Sequence, residues 1–157
     1  MLGTPIIRTH GPLNLIGITD RQVFGERSTA ADQWGAFGAR AHEIPHALPD
    51  SYGVCRQPAD GSTGFIYLVA QQVTTIDQVP AGMTTDQIQA RPYAVFTHNG
   101  DVSTIDATCA AIDEDWRPHT DFQIDTDCDL ILIEHYGPLF NPVTLSGDIE
   151  IWVPLIG

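Results

Sequence analysis

Hydrophobic residues in this chain cluster in short segments separated by polar and turn-forming residues, a pattern typical of β-strands. The segments are rich in Ile, Val, Tyr and Phe, and Gly, Pro, Asn or Asp stands at their ends. The pattern predicts seven strands, at 5–7, 15–18, 52–56, 64–71, 93–98, 130–136 and 149–155.

Two further segments have apolar residues at helical spacing. In 29–41 and 105–115 these residues recur every three or four positions, which places them along one face of a helix. Ser28 and Thr104 stand directly before the two segments, where an N-cap residue is favoured. The pattern therefore predicts one helix in each half of the chain.

The order strand, helix, strand, strand occurs twice, so we predict an α+β protein built as a tandem β-α-β-β repeat with pseudo-two-fold symmetry. We expect a single domain over 1–157, with repeats at about 1–78 and 88–157 and with 79–91 as the connection between them. An antiparallel sheet with its helices on one face would leave a cleft between the halves. Clefts of this kind are preferred ligand sites.

The charge of the chain excludes several classes of partner. The 157 residues include 20 Asp and Glu, seven Arg and no Lys, for a net charge of −13. Nucleic-acid binding requires a basic surface that neutralises phosphates, and the sequence has no basic cluster to form one. An anionic membrane surface would repel the chain for the same reason. We therefore expect neither direct nucleic-acid binding nor membrane association.

The sequence also lacks the segments that direct proteins to membranes or to secretion. No basic stretch near the N-terminus is followed by a long apolar one. The aliphatic run at 130–133 is far shorter than the roughly 20 residues of a membrane-spanning helix. The three cysteines are widely spaced and form no C-x-x-C pair, which argues against a disulfide scaffold. These features predict a cytoplasmic protein.

Two patterns resemble metal sites but lack what those sites require. HEIPH at 42–46 matches the H-E-x-x-H pattern of zinc proteases, yet Pro45 interrupts the continuous helix that such a site needs. DTDCD at 125–129 resembles the start of an EF-hand loop, but Leu130 and Tyr136 stand where that loop has Gly and Glu. We therefore expect no metal ion and no other cofactor.

Five motifs along the chain resemble the GyrI-like family of AraC-type effector-binding domains. The motifs are YGVC (52–55), GFIYLVA (64–70), ARPYAVFTH (90–98), LIEHYG (132–137) and IEIWVP (149–154). They occur in the family's order over nearly the whole chain. The resemblance implies two β-α-β-β units around a ligand cleft and a stand-alone member of the family. Other members are parts of bacterial transcription regulators, or hydrolases of cyclopropane-bearing compounds.

The resemblance also implies which residues form the binding site. The family's functional acid is a Glu on the third strand of the second repeat, followed two residues later by an aromatic residue. These positions are Glu134 and Tyr136 in this sequence. Aromatic residues from several strands line the family's cleft, and the corresponding positions are Tyr67, Trp152 and Tyr52.

Glu134 is unusual on physical grounds as well, because it lies in the apolar segment LILIEHY at 130–136. Strand alternation places Glu134 on the same face as Leu132 and Tyr136. A carboxylate in an apolar cleft requires a cation or hydrogen-bond donors, and the sequence contains no Lys to supply the charge. A cationic ligand would supply it, and Tyr or Trp rings would add about 0.5–2 kcal/mol of cation–π attraction.

Three functions are consistent with this site. The first is the binding of amphipathic small molecules, above all cationic or aromatic xenobiotics. The second is hydrolysis of cyclopropane-bearing or other reactive xenobiotics, with Glu134 as the catalytic acid or base. The third, by analogy alone, is modulation of a protein partner such as a transcription regulator or gyrase. We favour binding because it demands the least of the site.

Overall fold

Strands and helices extend along almost the whole chain. A computed structural model describes residues 2–23 and 27–157. The elements are β1 (Ile6–His10), β2 (Leu13–Gln22), α1 (Arg27–Gly38), β3 (Ala47–Arg56), β4 (Phe65–Val73), β5 (Thr84–Ile88), β6 (Arg91–His98), α2 (Ile105–Ala111), β7 (Leu130–Tyr136) and β8 (Ile149–Pro154).

The eight strands of the described chain form one antiparallel sheet, in the order β1-β6-β8-β7-β3-β4-β2-β5. This order is symmetric about the β7–β3 junction, since β6, β8 and β7 occupy the positions that β2, β4 and β3 occupy on the other side. The edge strands are exchanged between the halves, because β1 pairs with β6 and β5 pairs with β2. The predicted α+β class and tandem arrangement are confirmed. The boundaries 1–78 and 88–157 stay a prediction, because the exchanged strands cross them.

Each face of the sheet carries its own buried hydrophobic cluster. On the face that we call the helix face, Phe37 of α1 and Ile105 of α2 join Val69 of β4 in one cluster. The opposite face, called the second face below, holds a cluster that includes Val54 and Ile133. Neighbouring residues of a strand point to opposite faces, so the register of each strand decides which cluster a side chain joins.

The segment 79–91, predicted to be a connection, contains the edge strand β5. Ile88 is the only buried residue of this strand, so the sequence carries little hydrophobic signal for it. Pairing with β2 holds it in place instead, from Leu13 opposite Ile88 to Gly17 opposite Thr84.

Both helices end before the residues predicted for them. Gly38 ends α1, which is consistent with the poor helix propensity of glycine, and Ala41 belongs to a separate short turn. Ala111 ends α2, and a wider helical turn continues from it to Trp116. None of the helices in the described residues has the length and apolar character needed to cross a membrane.

The predicted cap of α2 is replaced by a different residue. Thr104 precedes α2 but makes no side-chain cap hydrogen bond. The Asp101 carboxylate instead accepts a hydrogen bond from the backbone N–H of Ser103, in the short turn that leads into the helix. The side chain of Ser28, predicted to cap α1, lies outside the described residues.

Candidate functional site

The candidate site lies where the two halves of the sheet meet, at the pairing of β3 with β7. Gly53 stands directly opposite Glu134 in this register. Because Gly53 has no side chain, it leaves space for the Glu134 carboxyl and for the Tyr67 hydroxyl of β4. A Cβ atom on Gly53 would lie 2.8 Å from Glu134 Oε1 and would overlap the Tyr67 oxygen. The glycine is therefore what lets the acid and the tyrosine share this position.

Glu134 is held inside the protein by tyrosine hydroxyls. Its side chain is only 2% exposed. The Tyr67 hydroxyl donates a hydrogen bond of 2.6 Å to Glu134 Oε1, and the Tyr136 hydroxyl donates one of 2.9 Å to the same oxygen. The indole Nε1 of Trp34, on α1, donates to the Tyr67 hydroxyl at 3.0 Å. Hydrogen bonds of this kind offset much of the cost of burying a carboxyl group.

Tyr67 is kept in its neutral, donating form. Complete burial raises the pKa of the Tyr67 hydroxyl well above its usual value of 10, and the neighbouring Glu134 raises it further. A phenolate beside Glu134 would place two negative charges in a dry environment. Tyr67 therefore donates to Glu134 throughout the physiological pH range.

A cavity of about 610 Å³ lies against this group of side chains on the helix face. Trp34 and Gly35 of α1 form one wall, and Ser51 of β3 and Tyr136 of β7 contribute to the sheet side. The loop between β7 and β8 contributes further apolar residues, including Leu145. The cavity lies between the halves, since its walls come from both. Its volume is in the range typical of small-molecule sites.

Three aromatic rings line the cavity in an edge-to-face arrangement. The rings of Trp34 and Tyr136 are 4.9 Å apart between centroids, at an interplanar angle of 73°. The rings of Tyr136 and Phe140 are 5.2 Å apart, at 83°. Glu134 lies directly behind this aromatic wall, because Tyr136 both lines the cavity and donates to the carboxyl group. The cavity thus combines an aromatic surface with a nearby acid.

The structure brings together three of the five predicted site residues. Glu134, Tyr67 and Tyr136 form the hydrogen-bonded group on the helix face. Tyr52 and Trp152 instead belong to the cluster of the second face, so they lie across the sheet from the cavity. The alternation of side chains along β3 explains the position of Tyr52. Gly53 points to the helix face, so its neighbour Tyr52 points to the second face.

Tyr52 and Trp152 lie beside a half-buried cluster of charged side chains on the second face. The ring of Tyr52 stacks on His135 at 5.0 Å, and Trp152 lies 5.0 Å from the same imidazole. His135 contacts Glu150 at 2.9 Å through Nδ1 and Asp50 at 2.7 Å through Nε2. The cluster links β3, β7 and β8 across the junction of the halves.

Trp34 and Phe140 belong to the candidate site but were not predicted. The helical spacing in 29–41 places Trp34 on the apolar face of the helix but does not show what that face contacts. Its neighbour Gly35 carried the missing signal, because a glycine inside a helix leaves a gap beside the tryptophan. Phe140 lies in a loop, where no periodic pattern indicates which way a side chain points.

The two metal-like motifs have other structures. Glu43 ends a short turn, Ile44 is extended, and His46 has a positive φ of 61°, so the H-E-x-x-H pattern forms no continuous helix. In the acidic segment, Asp125 pairs with Arg91 and Asp129 pairs with Arg56. Within residues 2–23 and 27–157, no three His, Cys, Asp or Glu side chains converge as metal ligands.

Two solved structures share this architecture. The structure of SAV2435 bound to tetraphenylphosphonium matches with a TM-score of 0.72 and 18% identity, over 98% of this chain and 94% of that one. The integron cassette protein VCH_CASS2 of Vibrio cholerae matches with a TM-score of 0.66 and 13% identity, over 99% of this chain and 97% of that one. These matches concern the fold.

Sequence comparison identifies a relative and a family. The transcriptional regulator BrlR of Pseudomonas aeruginosa is 30% identical over 130 residues, which cover 81% of this chain but only 46% of BrlR. The family model described as the GyrI-like small molecule binding domain matches residues 4–156. The resemblance seen in the five motifs is thus confirmed over nearly the full length, and the chain belongs to the GyrI-like family of small-molecule binding domains.

Proposed function

We propose that this protein binds lipophilic organic cations in the 610 Å³ cavity, with Glu134 supplying the negative charge. The observation that carries the proposal is a buried carboxyl directly behind a cavity wall made of aromatic rings. Both features favour the same ligand class, since the rings contact apolar groups and the acid attracts positive charge.

The residues that line the cavity favour a bulky aromatic or amphipathic ligand. Aliphatic and aromatic side chains form most of its walls, and Ser51 and Ser103 are the polar residues among its lining. A ring of Trp34, Tyr136 or Phe140 whose face meets a bound cation attracts it by about 0.5–2 kcal/mol. Few directional polar groups constrain the ligand, so recognition depends on size, apolar surface and charge.

Electrostatics support a positive rather than a negative ligand. Two opposite unit charges about 6 Å apart attract by roughly 3 kcal/mol at an effective dielectric constant of 20, before the cost of desolvation. The net charge of −13 adds a long-range attraction for cations that weakens as salt is added. The structural neighbour SAV2435 has been solved with tetraphenylphosphonium, a lipophilic cation, and so provides the probe.

Calorimetric titration with tetraphenylphosphonium tests the proposal. We expect saturable binding to the wild-type protein and about 10- to 100-fold weaker binding to Glu134→Gln, which corresponds to the loss of about 1.4–2.8 kcal/mol of charge interaction. Gln keeps an oxygen that accepts from Tyr67 and Tyr136, so the fold is retained. The matched control is Glu114→Gln, which removes one exposed carboxylate. Equal loss of affinity in both variants, or no binding by the wild type, would contradict the proposal.

An incubation with a reactive substrate distinguishes binding from hydrolysis. Hydrolysis predicts that a cyclopropane-bearing compound incubated with stoichiometric protein is recovered with its ring opened, whereas binding alone returns it intact. Modulation of a regulator or of gyrase stays a prediction from family analogy. Mass spectrometry of the recovered compound separates turnover from capture, and Glu134→Gln shows whether the same carboxyl is responsible.

A further inference from the structure

A second cavity, of about 270 Å³, opens on the second face of the sheet, away from the cation cavity. Residues 87–91, at the turn from β5 to β6, form one side of it, and Cys128 and Leu130 at the start of β7 form the other. Arg56 of β3 also lines it and reaches Asp86 on β5, three strands away in the sheet, at 3.0 Å. The sheet therefore curves over this face, and the cavity lies at the open edge of the curved sheet. We call this cavity, lined by Arg56, residues 87–91 and residues 128–130, the mouth.

Hydrogen-bond donors without acceptors border this mouth. In the described chain, the Arg91 Nε and the Tyr93 hydroxyl are buried polar atoms with no hydrogen-bond partner. Arg91 lines the cavity, and the Tyr93 side chain is completely buried in the cluster that includes Ile88 and Leu130 of its walls. Buried donors are nearly always satisfied, so two such groups beside one cavity indicate a binding partner that supplies acceptor atoms.

Tyr93 stands two positions after Arg91 on β6, so strand alternation places both side chains on the same face of the sheet. Burial raises the pKa of Tyr93 to about 12, while the positive charges of Arg91 and Arg56 oppose that rise. Both guanidinium groups belong to residues that line the cavity. Tyr93 is thus a neutral donor on the face of the sheet that carries Arg91.

The acids at the mouth limit what kind of acceptor can enter. Arg56 is paired with Asp86 and Asp129, and Arg91 is paired with Asp125. Three carboxylates against two guanidinium groups leave the mouth slightly negative, which disfavours a simple anion. The Asp129 side chain is 60% exposed and can contact a positive group on a ligand. A ligand that carries both charges satisfies the donors and the exposed acid together.

We propose that the mouth of the curled sheet is a second ligand site, which binds a small zwitterion with one carboxylate and one ammonium group, such as a free amino acid. The ligand carboxylate accepts from Arg91 Nε and the Tyr93 hydroxyl, and Arg91 shifts outward to admit it. The ligand ammonium lies next to Asp129. The volume of the mouth restricts the ligand to a small molecule.

Protection of Cys128 from alkylation tests this site. Cys128 lines the mouth and is a partly exposed thiol. Cys109 is also partly exposed but lies on α2, so it serves as the internal control. We expect glycine, L-alanine or L-serine at saturating concentration to slow iodoacetamide labelling of Cys128 at least fivefold and to leave Cys109 unchanged. Acetate and methylammonium, which each carry only one of the charges, should not protect. Equal protection by acetate, or none by any of the three amino acids, would overturn the proposal.

Tyr93→Phe gives an independent measurement. Removal of a buried hydroxyl that has no acceptor should raise the melting temperature of the ligand-free protein, yet weaken zwitterion binding at least tenfold. The affinity for tetraphenylphosphonium should not change, because Tyr93 lies across the sheet from the first cavity. A lower melting temperature together with full protection of Cys128 would show that the hydroxyl is already satisfied, and the proposal would fail.

Discussion

At the scale of single residues, the protein contains a buried acid that hydrogen bonds stabilise, since the sequence has no lysine that could form an ion pair with it. Two tyrosine hydroxyls donate to one oxygen of Glu134, and Trp34 orients the first of them. The position of an acid inside an apolar strand could be predicted from the sequence, as could the aromatic residue two positions later. The donors from β4 and α1 are distant in sequence, so only the folded chain brings them to Glu134.

Gly53→Ala tests whether the acid and Tyr67 depend on the missing side chain. The added Cβ would overlap the Tyr67 hydroxyl, so the Tyr67 side chain must move. This movement breaks the hydrogen bond from its hydroxyl to Glu134. We expect a loss of about 2 kcal/mol in the free energy of unfolding, measured by urea denaturation. Weaker tetraphenylphosphonium binding should accompany it. An alanine variant as stable as the wild type would show that the site tolerates a side chain there.

The His135 cluster makes stability depend on pH in a direction that can be derived. Burial lowers the pKa of His135, but hydrogen bonds to Glu150 and Asp50 outweigh it and raise the pKa above the ordinary value of 6.5. A raised histidine pKa contributes stability that is complete below pH 6.5 and is lost as the pH rises through the folded-state value. His10, whose pKa burial lowers, acts in the opposite direction.

His135→Gln separates these contributions, because His10 is present in both proteins. We expect the wild type to exceed the variant in unfolding free energy by the largest margin near pH 6, and that margin to narrow toward pH 9. Each unit of pKa difference corresponds to about 1.4 kcal/mol. Urea denaturation at both pH values provides the measurement. A margin that stays constant from pH 6 to pH 9 would mean that folding does not raise the pKa of His135.

At the scale of elements, the hydrophobic pattern predicted seven of the eight strands in the described chain and missed β5, whose only apolar residue is Ile88. The seven predicted strands all lie in or overlap observed ones, whereas β5 has one buried residue and depends on pairing with β2. The face that Tyr52 and Trp152 take could not be read from composition, because it depends on which residue of β3 stands opposite Glu134. Register is a property of paired strands and not of one segment.

Gly35→Ala tests the role of α1 as a cavity wall. A Cβ on Gly35 would meet no heavy atom within 4 Å, and alanine favours a helix by about 1 kcal/mol over glycine. We therefore expect higher stability but weaker tetraphenylphosphonium binding, because the methyl group narrows the cavity. Gly38→Ala is the matched control, since Gly38 is equally open but is not part of the cavity lining. If Gly35→Ala binds tetraphenylphosphonium as tightly as the wild type, this part of α1 does not contact the ligand.

At the scale of the whole molecule, two similar halves meet at β3 and β7 and create different environments on the two faces of one sheet. The helix face holds an aromatic cavity beside Glu134, and the second face holds the His135 cluster and the mouth lined by arginines. The repeated order of elements and the five motifs were sufficient to predict the family and its architecture. They did not reveal that exchanged edge strands join the halves.

Charge selectivity between two ions of the same shape is the most direct test of whether Glu134 attracts a cationic ligand. Tetraphenylphosphonium and tetraphenylborate are nearly identical in size and apolar surface but opposite in charge. We expect the wild type to bind the cation far more tightly, and Glu134→Gln to reduce this preference by about tenfold or more through weaker cation binding. The net charge of the protein alone would give both proteins nearly the same preference. An equal cation preference in wild type and variant would therefore contradict the role of Glu134.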